Sequence, residues 1–170
     1  INPIALILFL FAALCGALAV DASAAEPAAI VVLPTEPTDR EQFAAAELAR
    51  CLRAACDTEV AVVAEAPDGA AAPVFWIGTV ETPSRLAPLP ANHAAAKAPE
   101  LIREGVHLQG DGRNVVLLGD GRRGALNAVY TYLEQQIGFH WPEPGQEFVP
   151  PDAELKTAGF DYVSNPAFAY

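Results

Sequence analysis

Apolar positions recur along the chain with two different spacings, and the switches between them mark its elements. Ala29 to Leu33 is a short unbroken apolar run, the pattern of a buried strand, and Pro34 and Pro37 interrupt the chain after it. Thr38-Asp39-Arg40-Glu41 then has the spacing of a capping box. Ala44, Leu48, Cys51, Leu52 and Ala55 follow at helical spacing, with Glu41, Glu47, Arg50 and Arg53 falling mostly elsewhere, so a helix with one core-facing stripe is predicted. Val60 to Val63 reads as a second strand. After the turn from Pro67 to Pro73, Val74-Phe75-Trp76-Ile77 reads as a third, bounded by Pro73 and Gly78.

The stretch from Thr82 to Pro99 carries Pro83, Pro88, Pro90 and Pro99 among alanines and is expected to be a long surface excursion. Gly105 to Gln109 and Asn114 to Leu118 flank Gly110-Asp111-Gly112-Arg113, whose glycines suit the tight turn of a hairpin. Leu126, Val129, Tyr130, Leu133 and Ile137 then share one helical face, and Gly138 stands where a helix C-cap belongs. The remainder, Phe139 to Tyr170, is short apolar pieces between Pro142, Pro144, Pro150, Pro151 and Pro166, consistent with edge strands and a linker. No internal repeat interrupts this order. It predicts an α/β fold, a mixed sheet with two main helices packed on it.

The first residues change the picture of the whole. Nothing between Ile4 and Val20 is charged, Asp21 ends that run, and Ala22-Ser23-Ala24 supplies the small residues that a signal peptidase accepts. Residues 1–25 are therefore expected to be a signal peptide cleaved after Ala24 or Ala25, taking Cys15 with it. The competing expectation is a retained membrane anchor, since the run approaches the roughly 20 residues that span a bilayer. The composition holds no methionine and the chain opens on Ile1, so it reads as a piece of a longer, exported protein. Beyond the leader roughly 145 residues remain, one domain's worth of chain. The formal net charge is −11, with 21 acidic against 10 basic side chains, which argues against a nucleic-acid surface.

Candidate chemistry is sparse. Gly119-Asp120-Gly121-Arg122-Arg123-Gly124 has the G-x-G-x-x-G pattern, and Glu143 lies about 20 residues on. A dinucleotide site needs its strand at the start of a parallel β-α-β unit, whereas this one is the return arm of a hairpin, so no dinucleotide cofactor is expected. The glycines are read instead as allowing a tight strand-to-helix turn. Arg122 and Arg123 place two cations in the first turn of a helix, against its dipole, so either something anionic meets them or they are solvated.

Glu143 and Glu147 are the close acidic pair in an aromatic setting, the arrangement glycoside hydrolysis would need, although a proline-rich surface turn explains them as well. His93, His107 and His140 lack metal-ligand spacing, and no serine nucleophile elbow occurs. Cys51 and Cys56 are read as buried thiols or as a local bridge that needs the helix to unwind. Trp76 is expected in the core. His140-Trp141 could stack on a sugar ring, pack in the core or meet another domain.

Several stretches together carry a resemblance: Gly119 to Gly124, Ala125-Leu126-Asn127-Ala128-Val129-Tyr130-Thr131-Tyr132-Leu133-Glu134, Gly138-Phe139-His140-Trp141-Pro142, Pro144-Gly145 and Ser164-Asn165-Pro166-Ala167-Phe168. The chain resembles the N-terminal domain of family 67 α-glucuronidases and of related secreted proteins, over nearly all of its length beyond the leader. Asn127 departs from the pattern, where tyrosine is commoner. The resemblance implies a domain over 26–160, then at 161–170 the start of a linker into a C-terminal catalytic barrel. It implies that the barrel holds the catalytic carboxylates and this domain none. The function so implied is that of an accessory domain of a secreted glycoside hydrolase, with plant-type polysaccharide as the class acted on. The alternative is a stand-alone carbohydrate-binding or interaction module. Arg122, Arg123, His140 and Trp141 are the candidates for an interface or sugar contact.

Overall fold

A computed structural model describes residues 26–80, 101–102 and 104–167; the expected leader and the excursion from Thr82 to Pro99 lie outside the described residues. Strand β1 (Ala29–Val32) leads into helix α1 (Asp39–Cys56), which returns the chain to β2 (Val60–Val63). β3 (Val74–Thr79), the hairpin of β4 (Val106–Asp111) and β5 (Asn114–Gly119), helix α2 (Gly124–Tyr132) and β6 (Ala158–Ser164) follow. The strands form one sheet in the order β2-β1-β3-β5-β4-β6. The pairs among β2, β1, β3 and β5 are parallel, and β4 runs antiparallel to both β5 and β6. The expected mixed α/β sheet with two packed helices is the fold observed.

Local chemistry explains where the elements begin and turn. At the start of α1 the Thr38 hydroxyl accepts from the Glu41 N–H at 3.3 Å, and the Glu41 carboxylate accepts from the Thr38 N–H at 2.8 Å, so two donors that the helix cannot satisfy itself are bonded. The hairpin turn is held by the Asp111 carboxylate, which accepts from the N–H groups of Arg113 and Asn114 at 2.9 and 2.6 Å, with Gly112 at φ 99°.

Both helices cover one face of the sheet. Ala44, Leu48 and Leu52 of α1 and Ala128, Val129 and Tyr132 of α2 join Val31, Phe75, Leu108 and Leu117 in one core. The alternate residues Ile30, Val32, Val74, Trp76, Val116 and Leu118 form a smaller buried cluster on the opposite face, as the two-residue period of a strand requires. Trp76 is core, as expected, and its indole N–H donates to the Asn114 side-chain oxygen at 3.0 Å.

Two features of the backbone differ from the sequence expectation. The helix predicted through Ile137 is α-helical only to Tyr132, and Leu133–Ile137 form a π-helical turn. The N–H groups of Gly138 and Phe139 both donate to the Leu133 carbonyl, at 2.8 and 3.0 Å, and Gly138 closes the turn in the left-handed region at φ 97°. This wider turn lets both Ile137 and Phe139 reach the core. In addition, β6 continues to Ser164, so the sheet extends past residue 160, where the linker was expected to begin.

Candidate functional site

Two of the predicted residue pairs lie on either side of α2. The first is the turn from β5 into that helix. A Cβ at Gly119 would fall 2.1 Å from the Gly124 carbonyl oxygen, and one at Gly124 would fall 2.3 Å from the Gly119 carbonyl carbon. The glycines therefore let a strand end touch a helix start, and Gly121, at φ 71°, reverses the chain between them. After α2 the chain reaches β6, an antiparallel partner of β4, rather than a parallel strand beside β5. The strand order that a dinucleotide site uses is thus absent at this turn.

Arg123 meets an anion from its own chain. Its guanidinium donates to both Glu104 carboxylate oxygens at 2.9 Å, and that fork holds the Glu104 carboxyl below the ordinary carboxylate range, with Asn127 as a further donor. Arg122 is exposed and takes no part in the pair. Beside it a groove of about 320 Å³ runs along α2, lined by Glu104, Asn127, Tyr130, Glu134, Ser164 and Pro166 among others.

The second pair follows the π turn. Trp141 is half-buried, stacked on Phe139 with ring centroids 5.5 Å apart and edge-on to Tyr130 at 4.9 Å. His140 forms an isolated β-bridge with Phe148, and their rings lie 6.0 Å apart. The bridge brings Glu147 over α1. There Arg50 donates to both Glu147 oxygens at 2.9 and 3.0 Å and to both Glu47 oxygens at 3.0 and 3.1 Å. The Tyr130 hydroxyl completes the group by donating to Glu47 at 3.2 Å.

The electrostatics follow from that fork. Arg50 holds the Glu147 carboxyl below its ordinary range, and the two carboxylates hold the Arg50 guanidinium even more firmly protonated than usual. Burial pushes the Cys51 thiol up to about 12, and burial followed by the Glu47 charge pushes the Tyr130 phenol up to about 12. Glu143 accepts instead from the Gln146 side chain at 2.8 Å, so the structure directs Glu143 and Glu147 to different partners rather than to a shared cleft. Cys51 and Cys56 are both free thiols. His107, on β4, is buried with Nε2 2.9 Å from Asp161 on β6. Among the described residues no group of three or more His, Cys, Asp or Glu side chains could hold a metal.

Sequence reasoning selects Arg123 and Glu147 without their partners. Glu104 and Arg50 lie in other segments, and no short-range spacing connects them to those residues. Arg50→Ala is expected to destabilise the domain by about 1 kcal/mol at neutral pH, a modest figure because the pair is partly solvated. Since Glu147 has a depressed carboxyl in the folded state, its contribution is full above the ordinary carboxylate range. It is lost as pH falls through the lowered folded value. Denaturant unfolding of both proteins across that range should show the difference shrinking in acid.

The model of the family described as "Glycosyl hydrolase family 67 N-terminus" matches residues 11–132. Alpha-glucuronidase A of Emericella nidulans is 32% identical over 109 residues, which are 64% of this chain and 12% of that protein, so the chain spans about an eighth of that relative. Among solved structures, a GH138 enzyme targeting pectin rhamnogalacturonan II is 16% identical with a TM-score of 0.40, covering 63% of this chain and 13% of its own. A mutant Streptomyces plicatus beta-hexosaminidase with bound GlcNAc is 13% identical with a TM-score of 0.48, covering 82% of this chain and 22% of its own.

Proposed function

We propose that this chain, which belongs to the glycosyl hydrolase family 67 N-terminal family, is a non-catalytic accessory domain of a larger exported protein that breaks down polysaccharide at α-glucuronide linkages. The observation that carries the non-catalytic role is the fork at Glu147, whose two oxygens both accept from Arg50 at 2.9 and 3.0 Å. A glycosidase acid must hold its proton near neutral pH, which requires a carboxyl raised above its ordinary range. Glu147 is pulled the other way by Arg50, and Glu104 is pulled the same way by Arg123. The acids of both sites serve as struts between segments. Export rests on the uncharged run from Ile4 to Val20 and the small residues Ala22-Ser23-Ala24 after it.

In this reading the surfaces at the two ends of the helical segment, with exposed Arg122 before it and His140 and Trp141 after it, are where the rest of the protein packs. The chain alone is expected to release no uronic acid from glucuronoxylan fragments and to show no affinity for them by calorimetry. Turnover by the chain alone would sink the accessory role. Binding abolished by Trp141→Ala would favour the carbohydrate-binding module, although Trp141 already has both Phe139 and Tyr130 against its ring.

A further inference from the structure

The short segment entering β4 is gripped from two sides. On one side, Glu104 takes the Arg123 fork, and the Gly105 carbonyl accepts from the Asp120 N–H at 2.8 Å, fastening the segment to the start of α2. On the other side, the Asn165 side-chain oxygen, just beyond β6, accepts from the Ile102 N–H at 3.0 Å. Gly105 makes that approach possible. A Cβ there would stand 2.1 Å from the same Asn165 oxygen and 3.0 Å from the Ser164 carbonyl oxygen. Its backbone φ is not in the left-handed region, so the requirement is for space rather than for conformation. Pro166 follows at once and fixes its own φ, so the chain leaves the sheet from an anchored residue directly into a stiff one.

We propose that Asn165, seated on Gly105 and braced through the Glu104–Arg123 pair, is a latch that fixes the direction in which the chain leaves β6 at Pro166, so that in the longer protein the catalytic part would be held at a fixed orientation to this domain. The latch assigns a task to Arg123, which the dinucleotide reading left idle. Glu104 neutralises Arg123, a cation that the helix dipole disfavours at a helix start, and the pair holds the surface on which Asn165 sits. The consequence for orientation rests on the accessory-domain reading, whereas the latch itself does not.

Hydrogen exchange on the chain tests the latch. In Asn165→Ala, the Ile102 amide and the β6 amides bonded to β4 should exchange at least tenfold faster, with β3 and β5 amides unchanged. Gly105→Ala should reproduce the pattern by pushing Asn165 away, and Arg123→Gln should release Ile102, Glu104 and Gly105 from the other side. Unchanged β6 exchange in both of the first two variants, or equal acceleration in every strand, overturns the latch. Small-angle scattering of the longer protein tests the orientation. Asn165→Ala should broaden its distance distribution, and an unaltered distribution alongside faster exchange would overturn the orientation claim while leaving the accessory role standing.

Discussion

Gly119→Ala is expected to destabilise the domain by on the order of 3 kcal/mol, lowering the midpoint of thermal unfolding by roughly 10 °C. The new methyl would stand 2.1 Å from the Gly124 oxygen and 2.3 Å from its carbonyl carbon. Both are backbone atoms, so no side chain can swing aside. Relief requires the end of β5 to part from the start of α2, and that contact helps to seat Ala125, Ala128 and Val129 in the core.

Gly145→Ala is the matched control. Gly145 lies at φ 81° with no atom within 4 Å of where the added methyl would stand, so only the left-handed backbone penalty of about 1 kcal/mol applies. The comparison separates two meanings of the G-x-G-x-x-G pattern. If the glycines served a ligand's approach, Gly119→Ala would be nearly silent in the free protein. If they let strand and helix touch, the cost appears with nothing bound. Equal, small losses for Gly119→Ala and Gly145→Ala would remove the packing explanation.

What is legible in the sequence depends on how far each interaction reaches along the chain. Thr38 and Glu41 are three residues apart, and both halves of their capping box are legible because the chemistry is complete within one turn. The same holds for Asp111 and the hairpin tip. The strand order is another matter. Placing β5 between β3 and β4 needs contacts between segments far apart in the chain, and alternation within each strand is silent about which neighbour it takes. The site residues fall on both sides of this line. Arg123 stands out because a cation at a helix start is locally unfavourable, yet its answer, Glu104, sits in a separate segment. Glu147 looks like half of a carboxylate pair with Glu143, and only the fold shows Arg50 as its partner, 97 positions away. The π turn leaves no trace in the apolar spacing, because Leu133 and Ile137 would share a face in either kind of helix.

Tyr132 escapes the apolar pattern for a related reason, and it carries the second large prediction. The stripe drawn through Leu126, Val129, Tyr130 and Leu133 makes Tyr130 the buried aromatic. In the fold the inner face is instead centred on Ala125, Ala128, Val129, Tyr132 and Leu133, with Tyr130 half-buried at its edge. Small alanines mark that face, and their contribution to a stripe is easily underweighted. Tyr132 is fully buried. Its ring is edge-on to Phe75 at 5.6 Å and tilted against Phe160 at 5.9 Å, and its hydroxyl donates to the Lys156 carbonyl at 2.6 Å.

One side chain thus joins α2 to the central strand β3 and to the edge strand β6, and burial pushes its phenol well above the usual range, so it stays a donor. Tyr132→Phe should cost about 1–2 kcal/mol, since it removes one hydrogen bond and leaves the Lys156 carbonyl without that donor. Tyr132→Ala should cost about 3–5 kcal/mol, because the ring's contacts are lost and a cavity opens between helix and sheet. Denaturant unfolding measures both, and the order matters as much as the sizes. The hydroxyl acts on the residue two before β6, whereas the ring acts on the middle of the fold. Tyr132→Phe should therefore speed exchange mainly at the start of β6, and Tyr132→Ala should loosen α2 and β3 together with it. Equal losses in the two variants would mean that the phenol's bond to Lys156, rather than its packing, holds the last strand to the core.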